Sequence, residues 1–205
     1  MRRHLIVYAR APLPERTKTR LGAGLGAEAA AGIYARLLYG YLYDLLRAPL
    51  PDLRLELSVS TPTERSYFTD AFPEFEVTSQ VGGDLGRRMW ASFCRAFERG
   101  SESVVLTGSD LPGLSTHHVQ AALEALEEVP VVLGPATDGG YYLVGMRSPG
   151  ADLFQGISWS TERVLAQTEA LAQQEALTTR RVSTLQDIDV TAEYVLWREQ
   201  LLEKR

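Results

Sequence analysis

The chain is poor in the residues that build covalent staples and soft-metal cages. One cysteine, Cys94, in 205 residues excludes an internal disulfide and a cysteine zinc cluster. The three histidines are His4, His117 and His118; two adjacent and one remote are a poor zinc tripod. No apolar run approaches the ~18–20 residues that span a bilayer, so no membrane span is expected. The early apolar stretch LIVYA is short and basic residues follow it at once. It reads as a buried strand rather than the core of a signal peptide, and a cytoplasmic location is the expectation. An excess of positive charge is missing too: 21 Lys and Arg face 26 Asp and Glu, for a net charge of −5, which argues against nucleic acid as a partner. Neither GxGxxG nor GxxxxGK[ST] occurs, so neither of those phosphate-binding mechanisms is supported.

What remains has ordinary globular composition, 45% apolar and 23% charged, and a length that suits one domain over 1–205. Strand and helix signals alternate. HLIVYA at 4–9 reads as a buried strand, followed by a loop at 10–20. Ala27–Arg47 carries a helical stripe (Ala30, Ile33, Leu37, Tyr41, Leu45, widened by Tyr34, Leu38 and Leu42) that Pro49 and Pro51 end. Residues 53–60 alternate as a strand, and Thr61-Pro62-Thr63-Glu64 carries the cap, N1 proline and N3 acid of a helix start. A strand at 75–80, a helix opened by Asp84 and a continuous apolar strand at 103–108 follow. After a helix from Ser115 or Thr116 to about Glu128 come strands at 131–134 and 141–146. A helix from Ser160 or Thr161 to about Gln174, a weak strand at 179–183 and a helix from Thr191 complete the order. Such alternation predicts an α/β three-layer sandwich with a mostly parallel sheet.

In open α/β sheets ligands bind beyond the carboxyl ends of the strands, which directs attention to the loops there. Six of the 21 basic residues lie in the first twenty positions, opposed only by Glu15. Arg10, Arg16, Lys18 and Arg20 share a loop that Pro12 and Pro14 stiffen, and arginine forks and a lysine charge suit phosphate oxygens; a solvated basic loop is the competing reading. Gly82-Gly83-Asp84 is either an anion-binding helix start or an ordinary cap. Asp110, in GSDLPGL after the apolar strand, could hold a divalent cation, with an Asx turn as the alternative. His117 and His118 read as surface or capping residues. Asp138, in GPATDGGYY with Gly139 and Gly140 beside it, could orient an acceptor hydroxyl, act as a base or contribute to the metal environment; a hairpin turn would use the same residues. Asp187 and Asp189, two apart, can share a metal, or one can cap the last helix; Thr191 already offers that cap, which leaves the acids without a structural necessity. Trp159 reads as core, and Cys94 as a small buried hydrophobe.

The runs ARAPLPERTKTRL (9–21), GDLGRRM (83–89), GSDLPGL (108–114), GPATDGGYYLVG (134–145), WST (159–161) and DIDV (187–190) together resemble the DUF2064 family. That family comprises GT-A-like glycosyltransferases, some placed in arsenosugar biosynthesis, and is related to small nucleotidyltransferases such as 2-phospholactate guanylyltransferase. The resemblance implies a GT-A-like, Rossmann-like nucleotide-diphospho-sugar transferase fold. It puts Lys18 and Arg20 near phosphates, makes Asp110 the principal cation ligand and makes Asp189 or Asp187 a late one. Position 108 is Gly, so only Asp110 remains of the glycosyltransferase DxD pair.

The combined expectation is a transferase using Mg2+ or Mn2+, with Asp110 and Asp138 catalytic and Asp110, Asp187 and Asp189 at the metal. Arg10, Arg16, Lys18, Arg20, Gly83, Asp84, Gly139 and Gly140 would bind the nucleotide. Glycosyl transfer from a nucleoside-diphosphate sugar to a small-molecule acceptor is the main reading. Nucleotidyl transfer from an NTP to a phosphorylated small molecule is the alternative, and non-catalytic nucleotide binding is the third.

Overall fold

The computed structural model describes residues 2–203, with side chains through residue 199. Its elements run β1(Arg3–Tyr8), α1(Thr19–Leu25), α2(Ala27–Arg47), β2(Leu53–Val59), α3(Pro62–Ala71), β3(Glu76–Ser79), α4(Leu85–Glu98), β4(Ser103–Thr107), α5(Thr116–Ala125), β5(Val131–Pro135), β6(Tyr141–Met146), α6(Val164–Gln174), β7(Thr179–Arg181) and α7(Thr191–Glu203). The strands form one seven-stranded sheet in the order β3-β2-β1-β4-β6-β5-β7. All neighbours pair parallel except β6, which runs antiparallel to both β4 and β5. The expected α/β three-layer sandwich is therefore the observed fold, and the reversed β6 brings the β5–β6 turn to the same edge as the carboxyl ends of β1 and β4.

Alternation along the strands divides the interior in two. Leu5, Val7, Leu57, Val59 and Val105 pack against Tyr34, Leu38, Tyr41 and Leu42 of α2, Phe68 of α3 and Val119 and Ala122 of α5. Ile6, Val104, Leu106, Leu133 and Val144 point the other way, onto Met89, Phe93 and Ala96 of α4 and Ala172 of α6. A smaller cluster of Leu21, Ala30 and Ile188 joins α1 and α2 to the segment before α7.

Three local features depart from the sequence reading. The loop expected at 10–20 ends in a short helix, α1, in spite of Gly22 and Gly24. Gly24 is small for a steric reason: a Cβ there would lie 2.2 Å from Thr191 Oγ1, so its absence lets α1 dock on the start of α7. Helix α5 opens at Thr116, and its cap comes from α2: Asp44 Oδ2 accepts from Thr116 N at 2.6 Å and from Thr116 Oγ1 at 2.8 Å. Helix α6 starts at Val164 rather than at Ser160 or Thr161, because Thr161 Oγ1 donates to Ser158 O at 2.7 Å and holds 158–161 in a turn. Helix α3 has its capping box on Thr61 and Glu64, as its motif predicts. No helix of the described residues is long and apolar enough to cross a membrane.

Candidate active site

The loop leaving β1 is anchored at its start, at Arg10 and Ala11. Ala11 N donates to Glu64 Oε1 at 3.2 Å, so the capping acid of α3 also anchors this loop. Arg10 N donates to the Tyr34 hydroxyl at 2.9 Å. That hydroxyl lies 3.1 Å from Ser109 Oγ, which donates to Tyr8 O at 2.9 Å. Tyr34 thus ties the loop after β1 to the residue preceding Asp110. Burial pushes its phenol pKa up to about 12, so it remains a neutral hydroxyl. The sequence reading placed Tyr34 on the apolar stripe of its helix, where nothing distinguishes its polar end.

Lys18 is the centre of the site. It sits in the left-handed region, φ 46°, immediately before α1, and its side chain is only 2% exposed. Its ammonium lies 2.9 Å from Asp110 Oδ2, 2.9 Å from Asp187 Oδ1 and 3.1 Å from Asp189 Oδ1. Burial alone would depress the lysine pKa; the three carboxylates more than offset that and push it up. Burial raises the Asp187 pKa, with Asp110 and Asp189 adding to the rise and Lys18 opposing it.

The same three acids carry carboxylate oxygens within 4.8 Å of one another, from the loop after β4 and the segment before α7. This clustered acidic site is capable of coordinating a divalent metal. Hard oxygen donors suit Mg2+ or Mn2+, and the Lys18 ammonium lies among the same oxygens. Arg20 extends the charge outward by pairing with Asp189.

Around this centre lies a cleft of about 770 Å³. Arg10, Arg16, Lys18 and Arg20 line it together with Asp110, Asp189, Asp138 and Gly140. Gly83 and Asp84 are not among the lining residues: Asp84 Oδ1 accepts from Arg87 N at 2.8 Å and caps α4. Asp187 reaches the centre through Lys18, and its Oδ1 also accepts from Ile188 N at 2.6 Å. Asp138 is exposed and orders its own turn, accepting from Gly140 N at 2.8 Å. Gly139 has φ +87°, and a Cβ on it would meet Glu162 O at 2.2 Å. Leu165 N completes the clasp by donating to Gly139 O at 3.0 Å.

That clasp fixes the Trp159–Glu162 segment on the β5–β6 turn. Trp159 packs against the second core cluster, as the sequence suggests, yet it also lines the cleft. Its ring stands edge-on to Tyr141, centroids 6.4 Å apart, and 3.0 Å from where a Cβ on Gly86 would be. Sequence reasoning missed Glu162, which lines the cleft, because no motif singles it out. His118 pairs with Ser115 Oγ at 2.9 Å and stands edge-on to Tyr142; neither His117 nor His118 lines the cleft.

Comparison with known proteins adds to this geometry. The DUF2064 family model, described as "Uncharacterized protein conserved in bacteria", matches residues 46–161. A Desulfovibrio desulfuricans protein, a nucleotide-diphospho-sugar transferase by assigned name, is 31% identical with a TM-score of 0.88, over 97% of this chain and 87% of that one. A nucleotidyl transferase from Methanothermobacter is 17% identical with a TM-score of 0.61, over 99% of each chain. A Mycobacterium tuberculosis protein solved in complex with manganese is 14% identical with a TM-score of 0.54, over 96% of this chain and 97% of that one. No curated protein matches the sequence. The chain belongs to the DUF2064 family and shares the fold of the GT-A and nucleotidyltransferase superfamily.

Proposed function

We propose, starting from that family membership, that residues 1–205 act as one unit to catalyse metal-dependent nucleotidyl transfer. A nucleoside triphosphate would be the donor, a small molecule the acceptor and pyrophosphate the leaving product. The observation that carries this reading is the meeting of the Asp110, Asp187 and Asp189 carboxylates with Lys18 at the base of a cleft whose cationic lining residues all lie between 10 and 20. Asp110, Asp187 and Asp189 would hold Mg2+ or Mn2+, which when bound would neutralise phosphate charge on the donor and leaving group.

The residues of the chain supply the rest. Arg10, Arg16 and Arg20 bind and orient the anionic chain of the donor by charge-assisted hydrogen bonds. Lys18 adds a fixed point charge at the point where the phosphates meet the acids. Asp138 orients the acceptor hydroxyl and takes its proton. Tyr34 and Ser109 hold the two loops at a constant separation. The Methanothermobacter nucleotidyl transferase and the lone acid of the degenerate DxD motif both support this reading.

The assigned name of the Desulfovibrio relative favours a second reading, glycosyl transfer from a nucleoside-diphosphate sugar by the same cleft. Incubation with each NTP, or each sugar nucleotide, plus Mn2+ and a panel of acceptors separates the two. Pyrophosphate is the expected product. Release of nucleoside diphosphate from a sugar nucleotide, with none from any NTP, would replace the first reading by the second.

A further inference from the structure

The lining of the cleft is divided by charge, and the division follows the order of the strands. All of its Lys and Arg residues come from the loop after β1 and the first turn of α1, namely Arg10, Arg16, Lys18 and Arg20. The lining residues from the β5–β6 turn, β6 and the 159–164 segment include no Lys, Arg or His. Their charges are Asp138 and Glu162, both exposed, and their aromatic surface includes Tyr141 and Trp159. In the sheet β4 separates β1 from β6, so Asp110, on the loop after β4, lies between a cationic pole and an acidic, aromatic one. The second pole is also held in shape: Gly139 against the Glu162 backbone clasps turn to segment, Trp159 is braced between Gly86 and Tyr141, and Ser160 adopts φ 63° at the cleft wall. A non-glycine residue in that conformation stays there only when its surroundings hold it.

From this juxtaposition we infer that the acidic, aromatic pole is the acceptor subsite and that its acceptor is an unphosphorylated polyhydroxyl compound, neutral or cationic, such as a free sugar, amino sugar or cyclitol. The inference rests on the nucleotidyl-transfer reading and departs from the sequence expectation of a phosphorylated acceptor. Carboxylates accept hydrogen bonds from hydroxyl and ammonium groups, and aromatic faces cover the apolar C–H surface of a sugar ring. A phosphate monoester would meet two carboxylates and no cation among the lining residues of this pole, and like charges brought together at a binding surface are strongly disfavoured. The reacting group is then a hydroxyl. Its oxygen attacks the α-phosphorus of the donor and forms a new O–P bond. The bond from that phosphorus to the α–β bridging oxygen breaks, and its electron pair leaves with pyrophosphate. The hydroxyl proton passes to the Asp138 carboxylate. The product is a phosphodiester rather than a diphosphate.

Tryptophan fluorescence of the full chain, titrated with glucose, glucosamine and inositol and with the monophosphate of each, tests the subsite without requiring turnover. The expected result is a response that Trp159→Phe abolishes, with at least one unphosphorylated compound binding about tenfold or more tighter than its phosphate, a difference of about 1.4 kcal/mol. Glu162→Lys, on an exposed side chain, should reverse that preference. Tighter binding of the phosphates by the unaltered protein, or no Trp159-dependent response to any of the six compounds, would overturn the assignment. Failure of every NTP to give pyrophosphate would count against nucleotidyl transfer but leave this binding result standing.

Discussion

Lys18 illustrates how much the meaning of a side chain depends on what surrounds it. Among the basic residues of its loop it is the one whose side chain is almost wholly enclosed, 2% exposed against 74% for Arg20. Replacing it by Met leaves three carboxylates facing one another. Since these are 20–37% exposed, the cost should be about 2 kcal/mol, below the ~3–5 kcal/mol of a fully buried pair. Mn2+ should then raise the melting temperature of Lys18→Met more than that of the unaltered protein, because a cation at the acids replaces the missing charge. Equal shifts in thermal unfolding would contradict this role. Asp110→Asn should weaken Mn2+ binding, read by paramagnetic resonance, on the order of 10–100-fold. Tyr34→Phe should cost about 1 kcal/mol in denaturant unfolding through its lost hydrogen bonds, and unchanged stability would show the bridge to be incidental. The sequence already marked Lys18, Asp110, Asp187 and Asp189 as chemical residues. It also placed the three acids at one metal; what it could not disclose was that the Lys18 ammonium sits among them, since Lys18 lies 169 residues from Asp187.

At the scale of elements, the loops after β1, β4 and β5 were legible because each follows a strand of unmistakable apolar pattern. Helix α1 was not, since glycine disfavours helices and the reason for Gly24 lies in Thr191, far along the chain. Gly24→Val should therefore act at a distance: its side chain would displace the start of α7 and the preceding Asp189, lowering stability by ~1–3 kcal/mol and weakening Mn2+ binding. Unaltered Mn2+ affinity in a folded Gly24→Val protein would show that α7 does not set the position of the acids. The Asp44 cap of α5 was hidden for a similar reason, because local patterns do not reveal a side chain arriving from another helix. The reversed β6 is different again. Its apolar run fits a parallel or an antiparallel strand equally well, and only the sheet order distinguishes them.

The whole molecule also carries a buried polar network away from the cleft. On the α4 side of the sheet, Glu56 is fully enclosed and pairs with Arg95, with His4 Nε2 at 3.1 Å and with Thr78 Oγ1 at 2.6 Å. Burial alone would raise the Glu56 pKa, but the close approach of His4, the hydrogen bond from Thr78 and the charge of Arg95 bring it below the ordinary glutamate value. A folded pKa lower than the unfolded one stabilises the protein above the unfolded value, and that stabilisation is lost as pH falls through the folded value. Unfolding free energy should therefore drop as pH decreases from about 4.5, and Glu56→Gln should flatten this part of the profile while costing about 3 kcal/mol near neutrality. Identical slopes for the two proteins in acid would exclude Glu56 as the cause.

The pairing of Lys18 with Asp189 joins positions 171 residues apart, and it has a consequence for the order of assembly. Contacts between such distant segments require closure of nearly the entire chain, and the acids should therefore converge late in folding. Release of the segment that carries Asp187 and Asp189 would open the acidic cluster while the strands stay paired, a partial unfolding of the kind native proteins undergo. Under the proposed function, Mn2+ would favour only the state in which Lys18 and Asp189 are docked together, and its affinity would become a gauge of how completely the chain has closed on itself.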